Sequence, residues 1–324
     1  MTRIGQAVTK SYYGKKAKYS YWTGCSTGGR QGLALAQRFP DLYDGILAKA
    51  PAVFWDTLLV GMYWPQQVMN QLGVYPEQCE LSAFTQAAID ACDAIDGLKD
   101  RIVSSEHTCG FDPRSVIGKP FKCGNETRTF TSAGATVALA TWTGPIDAQG
   151  KRQWFGLNRD SDLSALAGTV TLANGTTVGA PFIVPVQWID YFVVKDPDFR
   201  LDQITNQQYF DILEQSRKEY LDLMDTSDAN LAPFKASGGK LVSKVFVRRN
   251  VESRLMFHSS RSPGTVFQTK PSPSTTRSST TSECRKPCRT RGTFTACSKH
   301  QVCSTARVVQ AVSLWRSLNY SSPG

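Results

Sequence analysis

Five consecutive residues, Gly24-Cys25-Ser26-Thr27-Gly28, set a serine between two glycines in the pattern G-x-S-x-G. A serine hydroxyl attacks a carbonyl only when a base takes its proton. A sharp strand-to-helix turn lifts the oxygen clear of a sheet and aims the next backbone N–H at the oxyanion that forms. Ser26 is the candidate nucleophile, and the N–H of Thr27 is the candidate oxyanion donor. Glycines flank the pair because such a turn is crowded. The competing reading is that Ser26 only caps a helix. A second group with chemistry in its spacing is Asp93-Ala94-Ile95-Asp96-Gly97-Leu98-Lys99-Asp100-Arg101-Ile102. Its three carboxylates around a glycine let a short loop curl oxygens around one hard cation, for which calcium is the natural occupant. The spacing is not that of an EF-hand, and the competing reading is an acidic helix end followed by a solvated turn.

The elements that must position these residues are legible nearby. Lys18-Tyr19-Ser20-Tyr21-Trp22 is aromatic-rich and β-prone, and residues 29–39 are good helix formers that stop at Pro40. A second apolar run, Gly45-Ile46-Leu47-Ala48, closes on Lys49-Ala50-Pro51-Ala52. Strand, turn, helix and strand in that order predict a parallel α/β unit. Residues 209–224 alternate apolar and charged at helical spacing, which predicts a surface helix with Phe210, Leu213, Tyr220 and Leu223 on its apolar face.

From Ala7 to about Leu241 the chain resembles the tannase and feruloyl esterase family of α/β-hydrolases. The resemblance runs through AVTKSYYGKKAKYSYWTGCSTGGRQGLALAQRFPDLYDGILAKAPA, ACDAIDGLKDRIV, TWTGP and FKASGGKL. It implies an α/β fold: a partial α/β-hydrolase sheet with a large inserted lid domain. On that reading residues 1–57 carry the elbow, 58–205 form the lid with the calcium loop, and 206–242 return to the hydrolase domain. The implied activity is carboxylic ester hydrolysis through a serine acyl-enzyme, on phenolic-acid esters such as gallate or hydroxycinnamate esters. WPQQVM and FDPRSVIGKPFKC lean toward the tannase side. The implied calcium ligands are the side chains of Asp93, Asp96 and Asp100 with the carbonyls of Leu98 and Ile102. The resemblance also implies that Cys25 pairs with a cysteine directly after the catalytic histidine, and that the protein is secreted. Trp55, Trp64, Trp188, Tyr191 and Phe192 are either core residues or the lining of a pocket for a phenolic acid.

With 324 residues and 41% hydrophobic content, the chain can bury one large or two medium cores, and no apolar run reaches membrane-spanning length. Its first residues lead straight into helix-like sequence without a secretory segment, so the reading expects an incomplete N-terminus. Charge divides sharply. Residues 243–324 hold 14 Lys+Arg against 2 Asp+Glu, and this stretch supplies the whole net charge of +10. The stretch lacks aromatic interleaving and any nucleic-acid module, so neither a nucleic acid nor a membrane is expected as partner. The family pattern breaks there. No histidine precedes a cysteine (His107, His258 and His300 are the three), no aspartate follows Asp228, and Glu252 and Glu283 lack the family context. The catalytic His and Asp are therefore not identifiable, and residues from about Ser243 read as a shifted frame.

Cysteine usage points to an oxidising compartment. Cys79, Cys92, Cys109 and Cys123 allow three connectivities; a Cys92–Cys109 bridge would staple the acidic loop and leave Cys79 with Cys123. Cys284, Cys288, Cys297 and Cys303 lack structural-zinc spacing. Asn125 and Asn174 head glycosylation sequons, as does Asn319 in the basic stretch. Two other readings fit the same residues: a catalytically dead calcium-binding hydrolase remnant, and a protein that interacts through its basic tail.

Overall fold

The computed structural model of the chain describes residues 1–104, 108–244 and 256–257. A first helix, α1 (Thr2–Tyr13), leads into strand β1 (Tyr21–Cys25), helix α2 (Thr27–Arg38) and strand β2 (Gly45–Lys49). The expected strand, turn, helix and strand are all present, with β1 lying a few residues later than the aromatic run suggests. Helices α3 (Trp55–Met62), α4 (Trp64–Leu72) and α5 (Gln78–Cys92) follow. Next come hairpin β3 (Pro120–Cys123) and β4 (Glu126–Thr129), helix α6 (Ser132–Thr143), and hairpin β5 (Thr169–Thr171) and β6 (Thr177–Gly179). Helix α7 (Ile183–Trp188) runs into a π-helical turn at Ile189–Val194, and α8 (Asn206–Met224) and the short α9 (Ala232–Ala236) lead to β7 (Lys240–Lys244) and the two-residue β8 (Met256–Phe257).

The main sheet has the order β1-β2-β7-β8. β1, β2 and β7 are parallel, with Tyr21 opposite Gly45 and Gly45 opposite Lys240. Everything from α3 to α9 is thus inserted between two neighbouring parallel strands. Helix α2 lies close on the sheet because Gly29, Gly32 and Ala36 make up its buried stripe. A Cβ on Gly32 would come within 2.9 Å of the Trp22 ring and 3.0 Å of Ile46. The core between them is small: Ala36, Ile46, Ala48 and Phe234, flanked by Trp22, Leu33 and Leu241.

The larger core lies inside the insertion. Leu58, Leu59, Val60, Met69, Leu81, Phe84 and Ala138 are buried there, with Tyr209, Ile212 and Leu213 from α8. The domain boundary expected at 205 therefore runs through one continuous core. The face predicted for α8 also differs: Tyr209, Ile212, Leu213 and Ser216 are its buried residues, while Leu223 is 61% exposed. The reason is that α8 packs on α3 and on the π-helical turn at Ile189–Val194, while the carbonyls of its last residues face donors on α2. A capping box fixes its start, Thr205 accepting from the Gln208 N–H while Gln208 Oε1 accepts from the Thr205 N–H. Trp64 and Trp188 are core residues, 8% and 4% exposed, with Trp64 against Tyr209 and Phe210 and the Trp188 indole donating to Ser216 Oγ.

The cysteines pair as Cys79–Cys123 and Cys92–Cys109. Both sequon asparagines are exposed at hairpin turns, Asn125 after Gly124 (φ 62°) and Asn174 before Gly175 (φ 83°). Among the described residues, no helix is long and apolar enough to cross a membrane.

One polar group is buried where α3 meets α8. Asp56 is 2% exposed; its Oδ2 accepts from Thr57 Oγ1 at 2.9 Å, and its carbonyl accepts from Ser216 Oγ at 2.6 Å. Burial pushes the Asp56 carboxyl up, and the nearby Asp225 carboxylate adds to the shift, while the Thr57 hydroxyl and the Arg217 charge oppose it. The folded chain holds this proton to higher pH than the unfolded chain does. The stability it contributes is full below the ordinary carboxylate pKa and is lost as pH rises through the raised value. Asp56→Asn is therefore expected to melt at a higher temperature than the parent at neutral pH, with the gap closing on acidification toward about pH 4. Equal melting temperatures across that range in calorimetry would contradict it.

Candidate active site

The chain turns from β1 into α2 at a single residue. Ser26 has φ 58° and ψ −116°, a conformation outside the usual left-handed basin and sparsely populated for any residue with a side chain. Strain of this kind is worth about 1–3 kcal/mol and persists only where the surroundings over-determine it. They do so here. The Ser26 N–H donates to the Lys49 carbonyl at 3.0 Å, and the Ser26 carbonyl accepts from the N–H groups of Arg30 at 2.9 Å and Ala52 at 3.4 Å. The strand end, the helix start and the loop after β2 are thereby fastened to one residue. Ala50, next to Lys49, also has positive φ, 39°, as the chain bends away from that contact.

Ser26 stands at the N-cap position of α2, yet its side chain makes no capping hydrogen bond. A capping serine adopts extended backbone angles and turns its oxygen onto the helix N–H groups; Ser26 does neither. Ser26 as a residue is half-buried, and the N–H of Thr27, in the first turn of α2, has no acceptor within the helix.

Crowding distributes differently from the motif. A Cβ on Gly24 would lie 2.2 Å from the Gly28 carbonyl oxygen, and one on Gly29 would lie 2.4 Å from the Lys49 oxygen. A Cβ on Gly28 would meet nothing within 4 Å. The close approaches are therefore made at Gly24 and Gly29, while Gly28 contributes its carbonyl, which accepts from the Trp22 indole at 2.9 Å.

Helix α2 also ties the elbow to the insertion. Arg30 donates to the Met224 carbonyl at 3.1 Å, with its guanidinium 5.1 Å from the centre of the Trp55 ring. Arg38 donates to the carbonyls of Leu223, Asp222 and Asp225, and Gln37 to those of Thr226 and Asp228. The orphan carbonyls at the end of α8 thus find donors on another helix, two of them cations suited to a helix C-terminus. A sequence reading could have found this signal only as a polar stripe on α2.

None of the three histidines lies among the described residues, and neither do Glu252, Glu283 or the four cysteines of the basic stretch. These candidate partners of Ser26 therefore lie outside the described residues.

The acidic loop is a 3₁₀ turn, Asp93–Asp96, closed by Gly97 at φ 90° and lying beyond the Cys92–Cys109 bridge. Asp93 Oδ1 accepts from the Asp100 N–H at 3.2 Å, Asp96 Oδ1 from Leu98 at 3.0 Å and Asp100 Oδ1 from Ile102 at 3.1 Å. The Leu98 N–H, then the Ser104 hydroxyl, hold the Asp96 carboxyl below its usual range. Three carboxylates within eight residues of one loop are hard oxygen donors of the kind calcium takes. They are not drawn together as a finished cage. Among the described residues, the trio of Cys, His, Asp or Glu ligand atoms within 4.8 Å of one another is Glu77, Cys79 and Cys123, whose sulfurs are joined in a disulfide.

Residues 1–246 match the family described as tannase and feruloyl esterase. A probable feruloyl esterase of Arthroderma benhamiae is 42% identical over 243 residues, covering 75% of this chain and 45% of the relative. The tannase of Aspergillus oryzae is 29% identical over 286 residues, covering 75% and 48%. Among solved structures, a tannin acyl hydrolase from Aspergillus niger superposes with a TM-score of 0.67 at 30% identity, over 75% of this chain and 46% of that one. The chain thus spans about half the length of the relatives it matches.

The close contacts make a contrast that can be measured. Gly24→Ala and Gly29→Ala are each expected to destabilise by about 1–3 kcal/mol, as overpacking against backbone does. Gly28→Ala should stay within about 0.5 kcal/mol of the parent. Denaturant midpoints that fall equally at Gly24 and Gly28 would contradict the geometry.

Proposed function

The chain belongs to the tannase and feruloyl esterase family, and from that premise we propose that it is a serine carboxylic ester hydrolase of phenolic-acid esters, with Ser26 as nucleophile. The observation that carries this reading is the backbone of Ser26, strained at φ 58° and ψ −116° with a side chain that does not cap its helix. Ser26 Oγ attacks the ester carbonyl and the Thr27 N–H stabilises the oxyanion. Collapse of that intermediate breaks the ester C–O bond, the alcohol leaves with a proton, and the acyl group stays on Ser26 Oγ until water releases it as the acid. The parallel strands β1, β2 and β7 are read as part of an α/β-hydrolase sheet, and the helical insertion as its lid. Gallate and hydroxycinnamate esters are the substrate class, in keeping with the names of the relatives. The general base and its acid are a histidine and an aspartate by family pattern, with no residue assigned to either.

Two exposed sequons and two disulfides fit a secreted, glycosylated protein, with Asn125 and Asn174 as acceptors. The acidic loop is read as a structural calcium site, held by Asp93, Asp96 and Asp100 with the carbonyls of Leu98 and Ile102. Bound there, the ion would fix the loop and take no part in ester cleavage.

Methyl gallate and methyl ferulate test the activity. The full chain should hydrolyse at least one of them, and Ser26→Ala should lower kcat/KM by more than about 10³-fold, as loss of a serine nucleophile does. An intact, folded chain that turns over neither ester, or a variant that retains the rate, would contradict the proposal. For the loop, elemental analysis of the purified chain should find one calcium per molecule, and chelation should lower the melting temperature. No calcium and no shift on chelation would refute the site.

A further inference from the structure

The two disulfides sit in different surroundings. Cys92 and Cys109 are 3% and 5% exposed and pack with Val103 and Phe111. Cys79 and Cys123 are both half-buried, where the start of α5 meets the β3–β4 hairpin. A thiolate must reach a sulfur to exchange with it, so access decides which bridge a reductant opens first. The Glu77 carboxylate that lies 3.7 Å from Cys79 Sγ is paired with the Arg128 guanidinium, so its charge is offset where a thiolate would approach.

The accessible bridge closes on a hairpin whose tip has weak anchors. β3 and β4 meet at a two-residue turn, Gly124-Asn125, with Cys123 opposite Glu126. Lys122, Glu126, Thr127 and Thr129 are exposed along with the turn. Besides the bridge, the tip is held by the Arg128–Glu77 ion pair, both side chains 39% exposed, and by the half-buried Phe121 ring, 4.8 Å from that of Phe130. An ion pair so exposed contributes little. The base of the hairpin is fastened separately. The Gly118 N–H donates to the Phe130 carbonyl at 2.9 Å and the Phe130 N–H to the Lys119 carbonyl at 3.0 Å, with the Phe130 ring 4.5 Å from Phe84. The buried Glu80 carboxylate accepts from the Thr131 N–H at 2.7 Å and from its hydroxyl at 2.8 Å.

We propose that Cys79–Cys123 is a redox latch: a dithiol reductant opens it ahead of Cys92–Cys109, and the hairpin tip at residues 120–129 then lifts from α5 as a flap. The base of the hairpin and the core stay closed, because few buried contacts are lost. A thiolate of the dithiol attacks one sulfur and the S–S bond breaks. The second thiol of the reductant then closes its own disulfide, so that two electrons and two protons pass to Cys79 and Cys123. The inference does not rest on the ester hydrolase reading, because no elbow residue takes part.

The test treats the full folded chain with dithiothreitol under native conditions, traps thiols with iodoacetamide and reads each cysteine by peptide mass spectrometry, alongside amide hydrogen exchange. Cys79 and Cys123 are expected to become labelled more than about tenfold faster than Cys92 and Cys109, since access sets the rate. Exchange in the reduced chain should accelerate at residues 120–129 and stay unchanged in α6 and α8. Arg128→Met removes the remaining ion pair, so it should speed exchange at the hairpin further in the reduced chain. Equal labelling rates, earlier labelling of Cys92 and Cys109, hairpin exchange unaltered by reduction, or protection lost across the whole chain would each overturn the proposal.

Discussion

The hydrogen bond from the Ser26 N–H to the Lys49 carbonyl is the contact on which the architecture around the elbow depends. With the Arg30 and Ala52 N–H groups on the Ser26 carbonyl, it holds a serine at φ 58° and ψ −116° between a strand and a helix. The bond works because β1 and β2 are parallel neighbours in register, with Cys25 opposite Lys49, so the end of one strand delivers a carbonyl to the first residue past the other. The small residues around it follow from the same demand: Gly24 clears the Gly28 carbonyl, and Gly29 clears the backbone of Lys49 and Pro51. The elbow is a place where local propensity is overruled by tertiary contacts, and such places are where function concentrates.

The insertion is joined to this elbow by backbone as much as by side-chain packing. The core shared by sheet and α2 is small, whereas the insertion buries a large core of its own. Between them, Arg30, Gln37 and Arg38 of α2 donate to carbonyls from 222 to 228, and the Thr226 N–H donates to the Val53 carbonyl at 3.1 Å. Hydrogen bonds to backbone specify position without needing a particular partner side chain. The insertion can therefore vary in sequence and still sit in the same place over the helix that follows Ser26.

The strand, turn, helix and strand around Ser26 were legible because period, breaker residues and glycine spacing all agreed. Strand β7 was legible only through the family pattern at Lys240 and Leu241, since a single short strand carries little periodicity. Three things were hidden for physical reasons. Gly29, not Gly28, makes the second close approach, and that depends on where the Lys49 carbonyl ends up, which no local pattern encodes. The buried face of α8 departs from its apolar spacing because Leu223 looks like core yet sits in a turn held by its carbonyl. The burial of Asp56 could not be anticipated, because an aspartate in the first turn of a helix is ordinarily a solvated dipole partner.

The role proposed for the strained Ser26 is that of a nucleophile and not of a helix cap. Brief exposure of the intact chain to p-nitrophenyl acetate, acid quenching and peptide mass spectrometry read this directly. An acetyl group is expected on the hydroxyl of Ser26, formed in a burst of about one p-nitrophenolate per chain. A folded chain that releases no burst and carries no acyl group on Ser26, or that carries it on a different residue, would contradict it.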